Sequence, residues 1–262
     1  MKALPPARLG LWAYAAAGIA LGAGAAVSGP PPLLPVALGF VGYAVVGTLG
    51  VFWPERGMYG STLWHGPARP EVALTFDDGP SPATTPRVLE LLAKADVRAT
   101  FFVVGRKALA HPQLVREIAA AGHEIGLHGF DHDRLFSLRS PGRVMRDIRR
   151  TQAAIAAAGV GEPQLFRPPI GFISHLTVWG ARNADVTLVG CSVRALDGFA
   201  SASPERVSER LVRAARPGAL LALHDAAERD DYTPASIQAL PRLLEALRER
   251  NLRAVTLSEW QR

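Results

Sequence analysis

Apolar and polar positions divide this chain into two regimes. Residues 9–53 contain no Asp, Glu, Lys, Arg or His, and Gly29-Pro30-Pro31-Pro32 splits this run into two apolar segments, about Leu9–Ser28 and Leu33–Trp53. Each has the ~20 residues that cross a ~30 Å hydrocarbon core. A signal peptide with Ala23-Gly24-Ala25 as its cleavage site accounts for the first segment only. Core helices of a soluble domain rarely lack every charge over two such lengths. The pattern therefore predicts a transmembrane helical hairpin (helices about 9–28 and 33–53), with residues 1–56 as a membrane anchor.

From about Gly57 the pattern changes to short apolar runs alternating with amphipathic stretches. Strands are predicted at Val72–Phe76, Ala99–Val104, Glu124–Leu127, Leu165–Arg167, Val186–Val193, Ala219–Leu223 and Arg253–Leu257. Helices are predicted at Pro86–Lys94, Pro112–Ala121, Pro141–Ala158, Leu176–Asn183, Pro204–Ala215 and Pro241–Arg250. Most begin at a proline, whose missing N–H costs nothing in a first helical turn. Strands alternating with helices mean an α/β domain of parallel strands, here residues 57–262. Reactive groups in such folds collect at the carboxyl ends of the strands. There is no repeat, no low-complexity linker and no second soluble domain.

Charge adds an orientation. Lys2 and Arg8 precede the first apolar segment, Arg56 follows the second, and the turn between them is uncharged. Positive flanks stay inside, which predicts a multi-pass protein of the inner membrane with the rest of the chain on the cytoplasmic side. All 23 acidic residues follow Trp53, with 27 of the 29 Lys and Arg, leaving the soluble part about +4. A mildly basic domain beside a membrane favours anionic head groups, although an arginine-rich composition yields the same excess. The single cysteine, Cys191, excludes an internal disulfide and suits a reducing compartment. No basic run is interleaved with aromatics, so a nucleic-acid partner is not expected.

Polar residues then stand at successive strand ends. Asp77 and Asp78 end the first strand before Gly79-Pro80, and buried carboxylates need a metal, a cation or a proton. The third strand is followed by His128 and His132, the fourth by Arg167, the fifth by Asp197-Gly198 and the sixth by His224-Asp225. Two imidazoles four apart fall on one face of a helical turn, and with one carboxylate they form a metal site with open positions. Each feature has a bland reading: a solvated Asp-Asp turn, a loop histidine pair, a core histidine, a surface arginine. Five such coincidences of residue type and position together are improbable. His123-Glu124 looks like the start of His-Glu-x-x-His, but the next histidine is five away and Gly122 and Gly126 break the helix that motif needs.

Thr75–Pro80, His128–His132, Arg167–Gly171, Asp197 and Leu223–Asp225, in this order and spacing, resemble the polysaccharide deacetylase family, also called the NodB-homology domain or carbohydrate esterase family 4. The resemblance covers about residues 57–262. It implies a distorted (β/α) barrel of about seven parallel strands, a divalent metal, most often Zn2+, and hydrolysis of the N-acyl group, usually N-acetyl, of an amino sugar. By the same resemblance Asp78, His128 and His132 hold the metal, which polarises the amide oxygen and brings the pKa of water to about 7. Asp77 is the catalytic base, paired with Arg167, which keeps it ionised and oriented. His224 protonates the leaving amine, Asp197 supports its imidazolium form, and a backbone N–H near Ile170 helps hold the oxyanion.

The chain departs from the family pattern at four places. Ile170 replaces an aromatic, Gly198 a frequent tryptophan, Ala222 a leucine and Gly129 a Ser or Thr. None touches a group that carries the chemistry, although Gly129 loses one hydroxyl and the sugar-stacking wall is lost. The expected substrate is therefore an amino sugar on a polyprenyl phosphate, met at the membrane with lipid as a further partner. Two alternatives remain: a polymer of N-acetylglucosamine, in peptidoglycan or exopolysaccharide, outside the cytoplasm, and an inactive sugar-binding membrane module.

Overall fold

The computed structural model describes residues 6–29, 33–52 and 58–261. Two apolar helices lead, α1 (Pro6–Ser28) and α2 (Leu33–Phe52). They meet where the Tyr14 ring lies 6.2 Å from that of Tyr43. There the Tyr14 hydroxyl is 2.6 Å from where a Cβ on Gly42 would stand, so the contact needs glycine. In α2, Leu33–Gly50 is long and apolar enough to cross a membrane, whereas the apolar stretch of α1, Trp12–Ser28, is shorter. The Pro30–Pro32 turn, Trp53, Gly57 and the flanking cations Lys2 and Arg56 lie outside the described residues.

The rest of the chain folds as strands β1 (Glu71–Asp77), β2 (Thr100–Val103), β3 (Glu124–Leu127), β4 (Leu165–Phe166), β5 (Thr187–Leu188), β6 (Val193–Arg194), β7 (Leu220–His224) and β8 (Arg253–Val255). Between them run helices α3 (Thr85–Lys94), α4 (Gly105–Ala110), α5 (Pro112–Ala120), α6 (Pro141–Ala156), α7 (His175–Asn183), α8 (Pro204–Ala214) and α9 (Ala235–Glu249). Among the described residues every strand pair is parallel, and the order is β5-β4-β3-β2-β1-β7-β6. β1 is the centre, flanked by β7, by β2 beside Thr75–Asp77 and by β8 beside Glu71–Ala73.

The single strand predicted at 186–193 is in fact two pieces. Its start pairs with β4 as β5 and its end with β7 as β6. Between them Val189 bridges to Leu63, and the Gly190 N–H donates to the Leu63 carbonyl at 2.9 Å. This one run changes partner and so links the two edges of an incomplete barrel. Gly190 is needed at the change, since a Cβ there would stand 2.3 Å from the Trp64 ring. A second difference is α9, which starts at Ala235 with Pro241 inside it rather than at its head. A proline removes one helical N–H, and the buried Ala239, Leu240, Leu243 and Leu244 on both sides of it hold the helix to the core. The short α4 was not predicted; its six residues, fewer than two turns of helix, are too few positions to show a period.

Strand alternation sorts the side chains into two layers. Leu74 and Phe76 of β1, Phe101 and Val103 of β2, Leu127, Phe166, Leu221 and Leu223 form one cluster with helix residues such as Val88, Leu92 and Ile118. Ala73, Phe102, Leu165, Val189 and Leu220 form a separate cluster inside the barrel. An even number of residues along from these inner positions, at the carboxyl ends, come Asp77 (four from Ala73), Arg167 (two from Leu165) and His224 (four from Leu220). The same parity that packs the barrel thus aims polar groups into its mouth.

Phe101 is 1 % exposed and stacks on Phe76 with centroids 5.0 Å apart. Phe101→Ala is expected to lower stability by about 3–5 kcal/mol through the cavity left between sheet and helices, read as a drop in the urea midpoint at unchanged slope.

Candidate active site

The two aspartates that end β1 part company because of backbone geometry. Asp77 is still in the strand, whereas Asp78 adopts φ 73°, in the left-handed region that Asp tolerates better than most residues. Their side chains therefore meet different partners, and both are buried.

Asp77 faces Arg167. The guanidinium Nη1 donates to Asp77 Oδ1 at 2.7 Å and to Thr75 Oγ1 at 2.8 Å, and Nη2 donates to the Gly190 carbonyl at 2.7 Å. The guanidinium carbon also lies 4.2 Å from the centroid of the Phe102 ring. Arg167 is 2 % exposed. Its planar fork thus spans β1 and the run between β5 and β6 while stacked on β2, a geometry that lysine's point charge cannot copy.

Asp78 faces the histidines. Its Oδ1 lies 3.1 Å from His132 Nε2 and 3.4 Å from His128 Nε2, and this buried oxygen has no hydrogen-bond partner. The three groups each offer a ligand atom, all within 4.8 Å of one another, and they are the one such cluster among the described residues. His128 Nδ1 donates to the Arg167 carbonyl at 2.9 Å, which leaves its Nε2 lone pair aimed at the cluster. An unpartnered buried carboxylate oxygen between two lone-pair nitrogens fits a divalent cation. Burial alone would raise the Asp78 carboxyl, but the two imidazoles and His224 hold it well below the usual carboxylate range.

The expectation that His128 and His132 share a face of a helical turn is not met. They sit on an irregular loop, with Gly129 at φ 77° and His132 at φ 54°. Two left-handed residues turn the chain back, so that the rings meet with centroids 5.1 Å apart. Asp147 of α6 fixes this loop. It accepts from the Phe130 N–H at 2.8 Å and from Arg139 at 2.7 Å, while Arg150 stacks 3.4 Å over the Phe130 ring.

His224 lies in register beside Asp77, across β1 and β7. Asp197, fully buried, accepts from His224 Nδ1 at 2.8 Å and from the His224 backbone N–H at 2.9 Å. Burial works to lower the imidazole, but the Asp197 carboxylate outweighs it and His224 is pushed up to about 10. Burial likewise works to raise Asp197, and the charged ring opposite brings it below its ordinary value. His224 Nε2, the free nitrogen, is 4.0 Å from Asp78 Oδ2. Gly198 lies against this ring, with 3.2 Å from His224 Cε1 to a Cβ built at the glycine, so any side chain there would press on the imidazole.

All seven candidate residues are therefore brought to one place. Six of them, with Asp197 behind His224, line a cavity of about 740 Å³ whose wall also holds Ile170, Phe172, Ala222 and Tyr232. The sequence reading missed three supporting groups. Glu228 pairs with Arg134 at 2.7 Å and stands 3.7 Å from His132 Nδ1. Asp147 holds the histidine loop as described. Asp225, buried behind Gly79 and accepting from the Thr85 hydroxyl, is pushed up to about 7 by burial, which Thr85 and Lys107 only partly offset. Asp225 stood beside His224 in plain view, but nothing in its spacing marked it as buried.

A model of the family described as polysaccharide deacetylase matches residues 65–189. A peptidoglycan-N-acetylglucosamine deacetylase of Bacillus cereus is 33% identical over 76% of this chain and 92% of its own length. A chitooligosaccharide deacetylase of Sinorhizobium fredii is 34% identical over 71% of this chain and 89% of its own. The structure of a family 4 carbohydrate esterase from Streptomyces lividans, in complex with acetate, superposes with a TM-score of 0.63 at 32% identity, covering 70% of this chain and 91% of that one. Sequence, fold and site agree: the chain belongs to the polysaccharide deacetylase family and is a metal-dependent carbohydrate deacetylase, a hydrolase.

Proposed function

We propose that this protein removes the N-acetyl group of an amino sugar carried on a lipid at the membrane surface. The observation that carries the chemistry is the division of two adjacent aspartates, one clamped by Arg167 and the other shared by two imidazoles. Asp78, His128 and His132 are the residues to hold the metal, with Zn2+ the best match to one carboxylate and two imidazoles. A bound divalent cation supplies Lewis acidity to the amide carbonyl and makes water more acidic.

The protein's own groups do the rest. Asp77, oriented by Arg167, takes the proton from water as the water oxygen bonds to the acyl carbon. His224 carries its proton on Nε2, facing the cavity, because Nδ1 is committed to Asp197. It gives that proton to the amide nitrogen as the C–N bond breaks, so that acetate and a free amine leave. Asp197 keeps the ring charged and in one orientation until then. Ile170 and its neighbours border the same cavity and are placed to offer a backbone N–H to the developing oxyanion. An intact set of these groups speaks against an inactive sugar-binding module.

The membrane part of the reading rests on α2. Leu33–Gly50 has the length and apolarity of a span, and only 6% of it is buried in protein. Packing of α1 on it through Tyr14 and Gly42 supports reading the two as an anchor, and the flanking cations favour a catalytic domain on the cytoplasmic side of the inner membrane. A lipid-linked sugar fits a mouth with Ile170 where a stacking aromatic would grip a polymer. A second reading is favoured by the relatives, which are named for peptidoglycan and chitooligosaccharide substrates: a polymer of N-acetylglucosamine outside the cytoplasm.

Asp77→Asn should retain a stoichiometric metal yet lose at least about 10²-fold in kcat, measured as acetate release beside metal analysis; full activity sinks the mechanism. His128→Ala should instead lose the metal, with activity falling in parallel and returning only at high added Zn2+. A reporter fused after Arg262 that is active only outside the cytoplasm should stay silent. A signal from it, with turnover on chitooligosaccharide and none on a polyprenyl-linked N-acetylhexosamine, would establish the polymer reading instead.

A further inference from the structure

At the cavity mouth and on the loop that follows His132, the described residues present exposed apolar side chains. Leu138 is 74% exposed, Phe199 66%, Leu135 65% and Leu196 51%, and Ile170 is also exposed. Ile170, Leu196 and Phe199 line the same cavity as Asp77 and His224. Leu135 and Leu138 bracket the short 3-10 turn that follows His132. Two of these residues are held there against their backbone preference. Ile170 has φ 52° and Leu196 φ 61°, left-handed conformations that residues with a bulky side chain rarely adopt. Strain of this kind persists where it serves a site. Here it displays bulky apolar groups to solvent at the entrance of an enzyme that acts on a polar sugar.

The same rim is mixed with cations. Arg134, Arg194 and Arg229 line the cavity beside Glu228 and Asp231. Arg134 is paired with Glu228, whereas Arg194 and Arg229 form no ion pair among the described residues. Apolar groups flanked by arginine are the pattern of a surface that enters the headgroup layer.

A chain of contacts ties this rim to α2. The Tyr59 hydroxyl donates to the Gly47 carbonyl of α2, and the Tyr59 ring lies 5.7 Å from that of His175, the first residue of α7. Ser174, the N-cap of α7, donates to the Ser137 carbonyl at 2.6 Å, and the Ser137 hydroxyl donates to the Phe172 carbonyl. Ser137 sits between Leu135 and Leu138, and Phe172 follows the Ile170 segment. Trp179, one turn beyond His175 on α7, is 60% exposed, as interfacial tryptophans are. The end of α2 thus arrives at the face that bears the mouth.

We propose that Leu135, Leu138, Ile170, Leu196 and Phe199 seat in the headgroup–acyl boundary of the bilayer that α2 crosses, so that the catalytic cleft opens onto the lipid surface. The seat requires α2 to cross the bilayer, as proposed above, but not that the substrate be lipid-linked. A sugar on a membrane lipid then reaches Asp77 and His224 without leaving the surface, and the arginines meet anionic head groups around it.

Site-directed spin labelling of the full-length chain tests this. In a Cys191→Ser background, single cysteines replace Phe199, Leu138, Val41 or Glu245, and each labelled protein is reconstituted in vesicles of phosphatidylethanolamine and phosphatidylglycerol. Collision with lipid-soluble oxygen is compared with collision with a water-soluble nickel chelate. Labels at 199 and 138 should give an oxygen-to-nickel ratio several-fold above that at 245 on α9, and on the same side as 41 within α2. If 41 reports lipid while 199 and 138 match 245, the seat is wrong and the anchor stands. If 41 also reports water, the anchor fails and the seat with it. Labels at 199 and 138 shielded from both reagents would mean that protein, such as a second copy, covers the rim, and would overturn the proposal too. None of these readouts depends on turnover, so a mistaken substrate leaves them unchanged.

Discussion

The site depends on one buried arginine. Arg167 bonds to Thr75 and Asp77 on β1 and to the Gly190 carbonyl between β5 and β6, and it lies on the Phe102 ring of β2. Its own carbonyl fixes the tautomer of His128. A guanidinium at 2% exposure is costly to desolvate, and it is tolerated because three oxygen acceptors and an aromatic face replace water. Removing it would leave the Asp77 carboxylate unpaired inside the barrel and free the His128 ring to turn. The same residue therefore holds the barrel mouth together, orients the base and prepares a metal ligand.

Around that centre the structure separates charges that are close in sequence. Asp77 and Asp78 are neighbours, yet φ 73° at Asp78 sends one carboxylate to a guanidinium and the other to two imidazoles. His224 belongs to neither group and has its own carboxylate, Asp197, behind it. This yields an acid held charged, a base held in place and an Asp-His-His metal face within one cavity. The outer faces of the strands have the plainer task of packing Phe76, Phe101, Phe166 and their neighbours against the helices.

The mouth obeys a different constraint from the floor. The floor below is polar, with the Asp78 oxygen left for a cation, whereas the rim above displays exposed Leu138, Phe199 and strained Ile170 and Leu196. An apolar helix of spanning length joins the domain at the same face through Tyr59. Hydrophobic surface at both places is relieved together if the cleft lies against a bilayer.

Much of this could be read from the chain. Apolar periodicity located the strands and most helices, because burial leaves a period of two or 3.6 in local sequence. Asp77, Asp78, His128, Arg167, Asp197 and His224 stood out because each follows an apolar run, where parallel strands deliver their side chains to a common mouth. Local sequence could not say who pairs with whom. Asp77 and Arg167 are 90 residues apart, His128 and the Arg167 carbonyl 39, and His224 and Asp197 27. Nor could it show that one run would change partner at Gly190, that His132 would come back through left-handed turns rather than a helix, or that Asp147, Asp225 and Glu228 would support the site. Residue type and order belong to the chain alone; partner choice depends on which inward-facing positions close packing brings within hydrogen-bond reach, and only the tertiary structure decides that.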